Sequence, residues 1–209
     1  MKRHSYDSVA YYYEKLGFLL GRPYQDSKFD FLDRLQEGDQ VLCLGGGTGV
    51  NLQRLLDGIG SDGTVHYLEA SAKMILRAKR RVKPEQLSQV VFLHQSDFAE
   101  IPLHTYDVIL TQFFLDILLD QEIHRLFQEV EERTALDVRW IFVDFFSAKG
   151  KTWLVNLMIF FFRWTTGHPR NDLPNYAHFF YSWDWEIKER KARQRGFIQA
   201  WLLMKDRNK

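Results

Sequence analysis

Val41-Leu42-Cys43-Leu44-Gly45-Gly46-Gly47-Thr48-Gly49-Val50-Asn51-Leu52 decides the reading of this chain. Four apolar residues running into glycines are what a buried parallel strand looks like at its C-terminal end. Glycines at 45, 47 and 49 let the backbone turn sharply and let a ligand approach without meeting a Cβ atom. The helix expected over Val50–Leu56 begins beside that ligand and offers free N–H groups.

The spacing is Gly-x-Gly-x-Gly, which separates it from other glycine loops. A dinucleotide fingerprint starting at Gly45 wants Gly or Ala at position 50, where Val stands; one starting at Gly47 wants it at position 52, where Leu stands. No Lys-Ser or Lys-Thr pair closes the loop, so a phosphate-binding P-loop is excluded as well.

Working outward, strands are expected at Thr64–Leu68, Val90–Leu93, Asp107–Thr111 and Arg139–Phe145, with helices over residues 27–36, Ser71–Val82 and about Gln121–Leu136. Gly58–Gly63 reads as a turn. This alternation predicts an α/β fold with a doubly wound, mostly parallel sheet, its ligand-binding loops along one edge. Beyond it, Ser147–Trp164 reads as an aromatic-rich helix, Thr166–Pro174 as a loop, Trp183–Arg195 as a charged helix, and Phe197–Met204 as a last strand. We expect a single domain: an N-terminal helical cap over 1–38, a cofactor-binding core over 39–146, an aromatic insert and helix over 147–195, and the last strand over 196–209.

Two further loops carry chemistry. Strand two ends at Glu69, whose carboxylate can accept hydrogen bonds from both hydroxyls of a ribose. After strand three come Ser96-Asp97-Phe98. Asp97 suits an adenine amino group or, equally, a helix N-cap, and Phe98 presents a backbone N–H or a ring face.

These stretches resemble the class I S-adenosylmethionine-dependent methyltransferases, particularly the branch of ubiquinone and menaquinone biosynthesis. Val41–Gly49 is similar to the first motif, Leu68-Glu69-Ala70-Ser71-Ala72-Lys73-Met74 to the second, Ser96–Phe98 to the third, and Tyr106–Gln112 to the fourth strand. Tyr6–Glu14 resembles the aromatic-acid segment that folds over the cofactor. The resemblance implies a Rossmann-like fold and S-adenosylmethionine as cofactor, held by Tyr13, Gly45, Gly46, Gly47, Thr48, Gly49, Glu69, Ala70, Met74, Asp97, Phe98 and Gln112. Two departures stand out. Cys43 occupies the place of the family's acid, and the thirteen residues after Gly196 leave the usual closing hairpin truncated or rebuilt from residues near Phe179–Trp183.

Methyl transfer from a sulfonium is a direct displacement that needs no metal, so the protein aligns the acceptor and excludes water. A base is needed only where the acceptor loses a proton; Asp116, His168 and His178 are the candidates. The run Trp153–Trp164 is apolar nearly all round. Burial on the sheet explains it, with an apolar pocket, a lipid-facing patch or a homodimer interface as alternatives. With the aromatic N-terminus it favours a small, hydrophobic acceptor. Other readings are a catalytically degenerate or scaffold relative, for which Cys43 is the hint, and a nicotinamide-dependent oxidoreductase, disfavoured by Val50 and Leu52.

Composition narrows the partners. A formal net charge of +1 gives no reason to expect nucleic acid. The loop after strand four also lacks the Asn/Asp-Pro-Pro-aromatic signature of several nucleic-acid methyltransferases. One cysteine excludes a disulfide framework or a cysteine-rich zinc site. The N-terminal residues lack the apolar core of a signal peptide, and Trp153–Trp164 is too short for a span; the expected location is the cytoplasm.

Overall fold

The computed structural model describes residues 20–166 and 169–205. The first nineteen residues of the expected helical cap over 1–38 therefore lie outside the described residues, as do Tyr13 and His168.

Among the described residues, six α-helices and seven strands follow one another: α1 (Arg22–Ser27), β1 (Gln40–Leu44), α2 (Leu52–Ile59), β2 (Thr64–Glu69), α3 (Ala72–Lys79), β3 (Val90–His94), β4 (Tyr106–Gln112), α4 (Asp120–Glu131), β5 (Thr134–Phe145), α5 (Thr152–Thr166), α6 (Tyr176–Ser182), β6 (Trp185–Arg193) and β7 (Ile198–Lys205). The strands form one seven-stranded sheet in the order β3-β2-β1-β4-β5-β7-β6. The first five are parallel, and β7 runs antiparallel to both of its neighbours.

Alternation along the strands sends side chains to two cores. Val41 and Cys43 of β1, Val108 and Leu110 of β4, and Ile141 and Val143 of β5 face one layer, with Leu55 and Ile59 of α2. Leu42, Leu44, Ile109, Trp140 and Phe142 face the other, with Leu126 and Phe127 of α4. Both faces are covered, which is why these strands read as continuous apolar runs. In α2 the apolar positions Leu52, Leu55, Leu56 and Ile59 are all buried. Spacing of i, i+3, i+4 and i+7 puts them on one stripe, each worth about 1.5–3 kcal/mol when removed from water.

The structure corrects several boundaries. Helix α2 runs through Gly58, so the turn starts at Gly60. A Cβ at Gly58 would lie 3.0 Å from Leu35 Cδ1, and glycine allows this close approach. Residues 27–36 form turns and a 3-10 segment at Leu32–Arg34 instead of a continuous helix. Helix α4 ends at Glu131, and β5 begins at Thr134, paired with Tyr106 across a bulge.

The largest correction concerns Trp183–Arg195, which is not a helix. Its residues Trp185–Arg193 are edge strand β6, hydrogen-bonded to β7 and irregular between Ile187 and Glu189. As a helix the segment would have buried almost nothing. As a strand it buries Trp185 and packs Ile187 against the core while its charges guard the open edge. The closing hairpin is therefore complete and begins after the Phe179–Trp183 segment.

Candidate cofactor and acceptor site

The C-terminal ends of β1, β2, β3 and β4 open on one cavity of about 750 Å³. The glycine loop is its floor. Gly45 and Gly46 donate their N–H groups to Leu68 O at 3.0 and 3.3 Å, which fastens the loop to the end of β2. A Cβ at Gly46 would sit 2.1 Å from the Tyr67 ring, and one at Gly45 would sit 2.3 Å from Phe114. Gly47, at φ 63°, has nothing within 4 Å of its Cβ position except Gly45 O at 4.0 Å. The loop is thus clamped between two rings and left bare at Gly47.

Glu69 ties the loop to the next helix. Its Oε2 accepts from Gly47 N–H at 2.9 Å and its Oε1 from Ser71 N–H at 2.8 Å. Burial raises its pKa, opposed by the N–H groups of Ser71, Gly47 and Ala70. Each oxygen retains a lone pair for a further donor. Ser71 caps α3 by accepting from Met74 N–H at 3.3 Å.

Gly45, Gly46, Gly47, Thr48, Gly49, Glu69, Ala70, Met74, Asp97, Phe98 and Gln112 all line this cavity. Asp97 caps the 3-10 turn after it, accepting from Ala99 N–H at 3.1 Å, and pairs with Arg125 at 2.8 Å. Gln112 accepts from Asn51 Nδ2 at 2.8 Å and donates to Lys28 O at 2.9 Å. Cys43 also lines the cavity; burial pushes its thiol up to about 12, so it stays protonated at neutral pH.

Of the candidate bases, His178 is exposed on α6 and contributes nothing to the lining. Asp116 lies just behind the wall built by Phe113, Phe114, Ile117 and Leu118. Burial pushes its carboxyl up to about 7 against the pull of Arg170, and its Oδ1 finds no hydrogen-bond partner among the described residues. Beside it, Asp144 is fully buried and accepts from the N–H groups of Leu115 at 3.1 Å and Asp116 at 3.3 Å. Burial first, and then the neighbouring Asp116 carboxyl, push the pKa of Asp144 well above the usual carboxylate range.

Sequence reasoning missed Tyr24, Asn51, Phe113 and Phe114 as wall residues, and Asp144 and Arg170 behind the wall. Asn51 had a signal, a polar residue at the start of the helix after the loop. Phe113 takes φ 53°, a left-handed turn that brings its ring to 4.5 Å from Tyr24. No local pattern announces that.

Comparison with known proteins bears on the same region. Residues 41–135 match the family described as "Methyltransferase domain". A search against curated protein sequences returns no significant match. Among solved structures, a SAM-dependent methyltransferase from Aquifex aeolicus superposes with TM-score 0.60 at 19% identity, covering 88% of this chain and 94% of that one. Mitomycin 7-O-methyltransferase gives TM-score 0.64 at 16% identity, covering 88% of this chain and 54% of that one. A methyltransferase of calicheamicin biosynthesis, in its SAH-bound form, gives 0.64 at 15%, covering 93% and 56%. This chain spans just over half the length of these last two. Sheet order, glycine loop and the match over residues 41–135 agree: this stretch is similar to the methyltransferase domain family and is built on the Rossmann-like fold that these solved methyltransferases share.

Proposed function

We propose that the chain transfers the methyl group of S-adenosylmethionine to a small, mainly apolar acceptor bound in the same cavity. One observation carries this reading. The glycine loop with Glu69 and a wall of Tyr24, Phe113, Ile117 and Leu118 line a single continuous space. Its volume of about 750 Å³ is near the top of the ~300–1,000 Å³ that small-molecule sites span, room for a nucleoside and a second small molecule.

The residues present suit the cofactor. Bare Gly47 admits close approach, the spare lone pairs of Glu69 suit ribose hydroxyls, and Met74, Phe98 and Ala70 give a nucleobase an apolar berth with Asp97 at its polar edge. When bound, S-adenosylmethionine supplies an electrophilic methyl carbon open to direct displacement. The apolar wall excludes water and aligns the acceptor. Where the acceptor carries a proton, we assign its uptake to Asp116 through a bridging water, because the carboxyl lies behind the wall and does not line the cavity. It lies near Tyr24, whose phenol is held up first by burial and then by the charges of Asp116 and Asp144.

Calorimetric titration with S-adenosylmethionine, S-adenosylhomocysteine and NADH tests the reading. Micromolar binding of the two sulfur ligands alone is expected. Glu69→Ala should weaken it by roughly tenfold or more and also lower the melting midpoint, because two loop N–H groups lose their acceptor. Unchanged affinity in that variant would remove Glu69 from the ribose site. Silence of the wild-type protein toward both sulfur ligands would favour a degenerate relative.

A further inference from the structure

Helix α5 has two apolar faces, and the sheet covers only one. Leu154 and Val155 are buried, and Met158 and Ile159 pack against the core beneath them. On the opposite side Trp153, Leu157 and Phe160 are 64%, 47% and 67% exposed. Their spacing of i, i+4 and i+7 places all three on one stripe of the helix. Asn156 and Arg163, both exposed, flank that stripe.

Charge around the stripe is one-sided. From 145 to 168 the sequence contains Lys149, Lys151 and Arg163 and no Asp or Glu, in a chain whose totals are nearly balanced at 28 basic to 27 acidic residues. Lys149 lies exposed before the helix and Arg163 exposed near its end. Large apolar side chains, tryptophan among them, held between cations match the boundary of an anionic lipid bilayer, where rings sit at headgroup level and cations meet phosphates. No helix among the described residues is long and apolar enough to cross a membrane, so the contact is with its surface.

We propose that the exposed face of α5 docks the protein on anionic phospholipid membranes, with Trp153, Leu157 and Phe160 inserted and Lys149 and Arg163 against the headgroups. Three residues beyond the helix, Pro169 lines the cavity, so docking brings the cavity mouth to the bilayer. An acceptor dissolved in lipid then reaches the site without crossing water. The docking surface stands independently of the methyl-transfer reading, since none of its three apolar residues lines the cavity.

The test is flotation of the full chain with vesicles of phosphatidylcholine alone and with phosphatidylglycerol mixed at one part to three. The wild-type protein should float with the mixed vesicles, less so at high salt, and poorly with phosphatidylcholine alone. Trp153→Glu combined with Phe160→Glu should lower partition by at least roughly tenfold, while S-adenosylhomocysteine titration stays as in the wild type and reports an intact fold and cavity. Equal flotation of the variant, or failure of the wild-type protein to float with the mixed vesicles, overturns the proposal. Self-association in sedimentation velocity that the variant abolishes, without vesicle binding, would likewise overturn it and assign the face to a second copy of the chain.

Discussion

Asp116 shows how one buried side chain shapes pH behaviour. In the unfolded chain its carboxyl titrates at the ordinary 3.8, and in the fold burial pushes it up to about 7. Between those values the folded protein holds a proton that the unfolded chain has released. The stabilisation is therefore complete below about pH 4 and is lost as pH rises through 7. At most it is on the order of 4 kcal/mol, shared with Asp144 because the two carboxyls repel when both ionise. Asp116→Asn cannot titrate, yet nearly keeps the shape. Urea melts at pH 5 and pH 8 should show the wild-type protein losing more stability than the variant across that interval. Equal losses would mean that the carboxyl is not held protonated by the fold. If it also accepts the acceptor's proton, the variant loses the rise in rate centred near pH 7.

At the scale of elements, β6 marks where sequence and structure part. Read by composition, Trp183–Arg195 is rich in Lys, Arg and Glu, all good helix formers. Read by period, Trp185-Glu186-Ile187-Lys188 alternates, and alternation is the strand signal. Pairing with β7 from Trp185↔Lys205 to Arg193↔Ile198 prevails because a ladder satisfies the backbone of both strands and buries Trp185 at 1% exposure against Trp140, ring centroids 5.1 Å apart. Trp185→Ala should accordingly cost about 3–5 kcal/mol in a denaturant melt, whereas Arg190→Ala, exposed on the same strand, should cost less than about 1 kcal/mol. Similar small costs for both would restore the surface-helix reading. The five parallel strands were legible because each carries an apolar run, broken only by His66 in β2, and Gly45–Gly49 was legible because its spacing admits few ligand classes. The rest of the wall was not. Tyr24 and Phe113 meet through tertiary packing, Phe113 by a left-handed turn that no residue type signals, and the Asp116–Asp144 pair joins residues from two separate strand ends.

For the whole molecule, residues 20–34 tie the closing hairpin to the cavity. Asp30, 5% exposed, is bonded by Arg193 of the closing hairpin, Nη2 to Oδ1 at 2.9 Å, with Lys191 at 3.7 Å. Arg34 pairs with Glu189 at 2.8 Å, and Gln194 donates to Leu20 O at 3.0 Å. The same N-terminal segment reaches the cavity, where Lys28 O accepts from both Gln112 and Asn51, and the Lys28 ammonium sits 4.4 Å over the Tyr24 ring. Residues 20–34 thus bridge the last hairpin and the cofactor loop, and the cavity wall depends on a contact more than 160 residues apart in sequence. Asp30→Ala removes that contact at a distance from any bound ligand and leaves Arg193 without its carboxylate. Because Arg193 keeps about a quarter of its side chain in solvent, the cost should be about 1–3 kcal/mol, below that of a fully buried broken pair. If the segment serves as the wall, S-adenosylhomocysteine affinity should also fall, by roughly three- to tenfold, because binding must then first order a loosened Tyr24 and Lys28. Calorimetry gives the affinity, and amide exchange over residues 22–28 shows whether the wall has loosened. Lower stability with unchanged affinity and unchanged exchange would uncouple hairpin and cavity, leaving the Asp30–Arg193 pair as a brace for the fold alone.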